Sequence, residues 1–304
     1  MRGQIIVGWT GLRAAGRWAG VLFIALLWST SGHAADRGAL FKVTDQGRTL
    51  YLFGTMHVGQ PDFYPFEARL LAAVSAAPTL ALEIDPNAAP EVAARAMQKH
   101  GFAPAGTLTP PALAPRLARA LRQAGVDPAA VAPFKPWLLA TVLTISEFRR
   151  LGYDNALAVD GQLAALAREQ RVKVIELESI DAQLSLFDSM PVAAQWAFLQ
   201  ETLDDIDSGK HREEAKQVAQ AWATADRAAL DAIAARLDAD TSVSARFMKE
   251  VLLDGRNGAL TDGIVSLMKR ENNSVAAIGV LHLVGKRSVP ALMRQRGLTV
   301  EQIY

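Results

Sequence analysis

The chain has 304 residues, 50% of them hydrophobic and 21% charged, with a mean hydropathy of +0.12. That is ample apolar material for a folded core and too much for intrinsic disorder. The 32 basic residues stand against 31 acidic ones and cysteine is absent, which removes bulk nucleic-acid binding, disulfide frameworks, cysteine–zinc sites, iron–sulfur clusters and cysteine nucleophiles from consideration.

The chain begins with a segment unlike the rest. No acidic residue precedes Asp36, whereas Arg2, Arg13 and Arg17 come before the apolar run Ala19–Trp28. Gly32 and Ala34 then supply small residues at the −3 and −1 positions of a cleavage site before Ala35. A basic start, a short apolar run and a small-residue cleavage site make a secretory signal over residues 1–35. The run is about half the roughly 20 residues that a membrane-crossing helix needs. The expectation is an exported, periplasmic protein with no membrane span once the leader is cut near Ala34 and Ala35.

Six strands are expected in the mature chain. Ala39–Thr44 and Arg48–Phe53 flank Asp45-Gln46-Gly47, which is hairpin chemistry. Thr79–Ile84 is a third strand and Lys173–Leu177 a fourth, after a helix over Val159–Glu169. Ser274–Val280 is a fifth, and Leu298–Ile303 closes the chain after a helix over Lys286–Arg296. Residues 88–151 read as helices punctuated by prolines, and residues 190–271 as a long helical stretch rich in Ala, Leu, Gln and Arg. Strands at both ends enclosing helices predict one mixed α/β domain over residues 36–304, a central sheet flanked by helices with a large helical insertion. Trp137, Trp196 and Trp222 read as packing residues.

Two of the five histidines share a context. Gly54-Thr-Met-His57-Val-Gly59 follows the second strand, and Gly279-Val-Leu-His282-Leu-Val-Gly285 follows the fifth. Functional residues in open α/β sheets gather at such carboxyl ends of strands. One Gly-x-x-His carries no weight; two in matching strand-end positions carry more, against the alternative of two core histidines. His33 leaves with the leader, and His100 and His211 read as solvated surface groups. Glu83 ends the third strand, where it can approach the His57 turn or serve as a capping carboxylate, with Asp85 as its substitute. Glu176 and Glu178 share one side of the fourth strand's end, facing the pocket or a helix start. Arg256 can bind a carboxylate or an oxyanion, and Asn257 can orient a ligand; a surface ion pair is the ordinary alternative. Asp154 and Asp160 read as helix caps. The spacing Gly279 to Gly285-Lys286 is wrong for a P-loop, and neither His-Glu-x-x-His nor Gly-x-Ser-x-Gly occurs.

The order of motifs resembles the TraB/PrgY/GumN family, which includes the Tiki proteases. It rests on YLFGTMHVG (51–59), LALEID (80–85), LGYDNAL (151–157), IELESIDAQL (175–184), AW (221–222), LLDGRN (252–257) and AAIGVLHLVG (276–285), which span nearly the whole mature chain. Two departures from the family pattern occur: Gly255 stands where a charged residue is expected, and Val280-Leu281 replaces small residues. The resemblance implies an erythromycin-esterase-like or Tiki-like fold and a hydrolase, a peptidase, that depends on a divalent ion (Mn, Co or Zn). His57, Glu83 and His282 would be the metal ligands, with Glu178 and Arg256 as further catalytic residues. Two imidazoles and one carboxylate do form an established open-site ligand set. The similar erythromycin-esterase pocket uses a histidine base without an obligatory metal, so a metal-independent esterase acting through His57 or His282 is the alternative. A non-catalytic periplasmic accessory or binding factor is the third. A peptide or protein is the expected substrate; the sequence leaves the oligomeric state open.

Overall fold

In a computed structural model, which describes residues 35–304, the six expected strands are present, each within two residues of its expected ends. They are β1 (Leu40–Asp45), β2 (Arg48–Thr55), β3 (Thr79–Leu82), β4 (Lys173–Glu176), β5 (Ser274–Gly279) and β6 (Thr299–Gln302). They form one sheet in the order β4-β3-β5-β2-β1-β6. The first four in that order run parallel, while β1 is antiparallel to both β2 and β6. The fold is therefore mixed α/β, as the sequence predicts. The expected secretory signal, but for Ala35, lies outside the described residues. Among the described residues, no helix is long and apolar enough to cross a membrane.

Burial explains the strand order. Ser274, Val275, Ala276, Ala277 and Ile278 of β5 are all at most 1% exposed, the unbroken apolar run expected of a central parallel strand covered on both faces. Edge strand β4 instead leaves Lys173 and Glu176 exposed. The helices Val159–Glu169 and Asp254–Arg270 bury Leu163, Ala164, Leu260 and Ile264 in the same apolar cluster as the sheet. Trp222, at the end of helix Lys210–Ala223, is fully buried, and its Nε1 donates to the Gly54 carbonyl at 2.8 Å. Trp137 is buried in a separate cluster stacked on Phe187, and Trp196 packs at the edge of a third.

The consequence for function is one of register. Thr55 of β2 lies opposite Gly279 of β5, Leu82 of β3 opposite Ala277, and Glu176 of β4 opposite Leu82. Residues just beyond these four ends therefore emerge in a row along one edge: Glu178, Glu83, His282, His57.

Candidate functional site

Glycines shape the two turns that carry the histidines. Gly59 exchanges backbone hydrogen bonds with Asp154, and a Cβ on Gly59 would lie 1.8 Å from the Leu157 carbonyl oxygen. Only glycine allows that approach. Gly54 has the neighbouring turn against it, where a Cβ would come within 2.9 Å of Val280 Cγ2. On the second turn, Gly285 holds φ +86°, the left-handed region.

His57 and His282 open onto one cavity of about 430 Å³, shared with Glu83, Gln183 and Arg256 at its polar end and with Met56, Ile145, Phe148, Leu186, Phe187 and Met248 over its apolar wall. The His57 side chain is 67% exposed and faces the cavity. Its Nδ1 donates to Asp160 Oδ2 at 2.6 Å, leaving Nε2 for the cavity. Asp160 is 9% exposed, at the start of helix Val159–Glu169, and its other oxygen accepts the Gly161 N–H at 3.0 Å. Burial by itself would lower the His57 pKa. The hydrogen bond and charge of Asp160, with the charge of Glu83 behind it, reverse that and raise it to about 9.

His282 is the opposite case. It is 3% exposed, and its Nδ1 donates to Asn257 Oδ1 at 2.6 Å. The Asn257 Nδ2 group donates to the Arg287 carbonyl at 2.9 Å, which fixes the amide's orientation and hence the imidazole tautomer. Nε2 of His282 thus carries the lone pair. Burial, helped by the positive charge of Arg256, lowers the His282 pKa to about 4.

Glu83 and Glu178 are bridged by a cation of the protein's own. Arg256 forms ion pairs with both carboxylates, its Nε also lying 3.0 Å from Glu178 Oε2, and its Nη1 donates to the Leu252 carbonyl at 3.1 Å. The Arg256, Glu83 and Glu178 side chains are 11%, 7% and 15% exposed. Gln183 Nε2 donates to both carboxylates, at 2.8 and 2.9 Å, and the Gly279 N–H donates to Glu83 Oε2 at 3.0 Å. Burial would raise the Glu83 pKa, but the positive potential of His282, His57 and Arg256 and the Gly279 N–H hold it down at about 2. Arg256 is placed by an unusual helix. The chain winds as a π-helix over Phe247–Leu253 before the α-helix Asp254–Arg270 begins, the kind of widened turn that recurs at functional sites. A Cβ on Gly255 would lie 2.9 Å from the Glu250 carbonyl oxygen, so a glycine is matched to this turn.

As metal ligands, these groups fit in part. Each histidine has its Nδ1 fixed by an acceptor, the arrangement of metal-bound imidazoles, and His57 keeps its Nε2 for the cavity. The Glu83 carboxylate does not fit, because both its oxygens are engaged and its counter-charge is a guanidinium. That guanidinium's Nη1 lies 3.4 Å from His282 Nε2, and Glu83 Oε2 lies 3.9 Å from the same nitrogen. A divalent ion there would face the charge of Arg256 at close range. Among the described residues, a His/carboxylate group whose donor atoms lie within 4.8 Å of one another occurs at Asp205, His211 and Glu214, on other helices.

Several residues lie where the sequence did not put them. Asp85 pairs with Arg168 and accepts the Asn87 N–H at 3.0 Å, away from the histidines. Glu178 anchors Arg256 and does not line the cavity. Asp154 does cap, accepting the Ala156 N–H at 2.9 Å, but Asp160 holds His57. His100 is 6% exposed, not solvated; its two ring nitrogens meet Asp188 at 3.2 Å and Asp181 at 3.0 Å. His211 is half-buried against a second cavity.

Comparison with known proteins yields a family model described as the TraB/PrgY/gumN family, which matches residues 39–302. YbaP of Escherichia coli (strain K12), described as an uncharacterized protein, is 24% identical over 252 residues, covering 81% of this chain and 88% of that protein. YbaP of Shigella flexneri matches with the same identity and coverage. No solved structure matches the chain.

Proposed function

The chain belongs to the TraB/PrgY/gumN family, and within it we propose that this protein is an exported hydrolase that cleaves an ester or amide bearing an apolar group, with proton transfer by its two histidines and without a metal ion. The observation that carries the reading is the position of Arg256, whose guanidinium pairs with both carboxylates and occupies the place of a counter-ion.

The chemistry follows from the opposed environments of the histidines, since titratable groups pushed apart in pKa make an acid and a base. Between about pH 4 and pH 9, His282 is neutral with its lone pair on Nε2, and His57 is an imidazolium held by Asp160. His282 accepts a proton from water as the water adds to the carbonyl carbon, and the nearby Glu83 carboxylate stabilises the imidazolium that forms. Arg256 and protonated His57 supply positive charge for the oxyanion. As the tetrahedral intermediate collapses, His57 donates its proton to the departing oxygen or nitrogen, and the acid product carries the oxygen of the water. The apolar wall of the cavity holds the substrate's hydrophobic portion.

A second reading keeps the metal-dependent peptidase. It is favoured by one observation, the Nδ1 atoms of both histidines being held by Asp160 and Asn257, which turns each Nε2 lone pair away from those acceptors. His57 and His282 would then hold the ion, and Glu83 would join them only after Arg256 withdrew. An ion bound there would supply Lewis-acid activation of water and carbonyl. The functional test is a screen of apolar acyl esters, acyl amides and peptides with the wild-type chain and His57→Gln. Hydrolysis by the wild type that falls by at least ~100-fold in the variant supports the proposal. No turnover of any compound would leave a binding or accessory role, and turnover indifferent to His57 would refute the proton transfer assigned to it.

A further inference from the structure

The residue before His282 faces more than the candidate site. Leu281 is half-buried and borders three cavities. One is the histidine cavity; the second, of about 570 Å³, reaches Phe198, Ile233 and Leu237; the third, of about 360 Å³, lies beside Lys249, Lys286 and Arg287. Thr144, Val218 and Met248 also line both the first and the second cavity. Leu281 and these three side chains are therefore a septum between two chambers. The polar groups of the first chamber bind one another at its far end, through Arg256, Glu83 and Gln183, so the space running up to the septum is apolar.

We propose that Leu281 sets the length of the apolar chain this site accepts, with the chain of an acyl group running from the histidines to the septum and stopping there. An apolar chain that passed Leu281 would enter the second chamber, where Phe198, Ile233 and Leu237 offer it contact. Charged groups line both chambers beyond Leu281, among them Lys210, Arg236 and Asp240 in the second and Lys249, Lys286 and Arg287 in the third, and their desolvation opposes entry past the septum. The orientation of the chain rests on the hydrolase reading, but occupancy of the chamber does not require turnover.

The experiment is calorimetric titration of the full mature chain with butanoate, octanoate and dodecanoate, comparing wild type, Leu281→Ala, Leu281→Met and Met248→Ala. Each methylene newly taken out of water strengthens binding by about fourfold. Leu281→Ala should therefore bind dodecanoate at least ~10-fold more tightly than the wild type while leaving butanoate unchanged. Met248→Ala, which thins the same septum from another helix, should show the same selective gain. Leu281→Met, which preserves volume, should behave as the wild type. A change of equal size for all three alkanoates, an unchanged dodecanoate affinity in both alanine variants, or no alkanoate binding to any of the proteins would overturn the proposal. Chain-selective binding without catalytic turnover would instead count against the hydrolase reading alone.

Discussion

Arg256→Met removes the guanidinium from between Glu83 and Glu178 and leaves two largely buried carboxylates sharing only the Gln183 amide and the Gly279 N–H. Breaking a buried ion pair by deleting one partner costs about 3–5 kcal/mol, because the remaining charge is stranded. With a urea m-value of about 2–3 kcal/mol per molar for a chain of this size, the unfolding midpoint should fall by roughly 1–2 M at pH 8. The deficit should shrink as the pH is lowered, because a proton can then replace the guanidinium on one carboxylate. Adding Glu83→Gln and Glu178→Gln to the same variant should recover about half of the loss or more, since the stranded charges are gone. The assay is equilibrium urea unfolding followed by far-UV circular dichroism and tryptophan fluorescence together. A loss below about 1 kcal/mol, or a triple variant no more stable than Arg256→Met, would refute the view that this guanidinium is the counter-charge holding the two carboxylates.

The other expectations concern the histidine turns and the leader. The pH profile of kcat/KM should rise as His282 loses its proton near pH 4 and fall as His57 loses its own near pH 9; a single limb centred near neutrality would contradict the assignment. In Asp160→Asn the upper limb should move down toward the ordinary imidazole value, because the hydrogen bond and charge that do most to raise the His57 pKa are gone; an unmoved limb would show that Asp160 does not tune His57. Gly59→Ala puts a Cβ 1.8 Å from the Leu157 oxygen and should destabilise the fold by at least about 1–3 kcal/mol, read as a shift in thermal unfolding. Intact-mass measurement of protein exported to the periplasm should give a chain starting at Ala35 or Asp36, whereas a full-length chain in the membrane would count against export.

The strands were legible because their pattern is local: apolar runs bounded by Gly, Pro and Asp, with β5 an unbroken buried run. The two Gly-x-x-His turns were legible for the same reason, and the sheet brings His57, Glu83 and His282 to one edge because their strands are neighbours in parallel register. What lay hidden depends on pairing between distant segments. Asp160 sits 103 residues from His57 at a helix start, where an acidic residue is ordinarily explained by the helix dipole, so the cap reading concealed its partner. The bridging place of Arg256 depends on the π-helical turn that precedes it, which leaves no periodic trace; Gly255 was the one available clue. His100 looked solvated because Lys99 and Gln98 flank it, yet two aspartates of another helix close over the ring. Asp85 shares the strand-end context of Glu83, but the chain has already left β3 at Leu82, so the alternation that would have put both on one side does not apply.

The identity of the cation at this site separates the proposed mechanism from its metal-dependent rival, and one measurement reaches it. Purified chain is stripped with a chelator, its metal content is determined by mass spectrometry, and kcat/KM is measured on an ester from the screen before and after addition of Mn, Co or Zn. The variant His211→Ala is carried alongside to remove any contribution from the Asp205, His211 and Glu214 group. If Arg256 is the site's cation, the stripped protein retains its full kcat/KM and added metal brings no gain. Activity abolished by stripping and restored by metal, in the His211→Ala background as well, would contradict it.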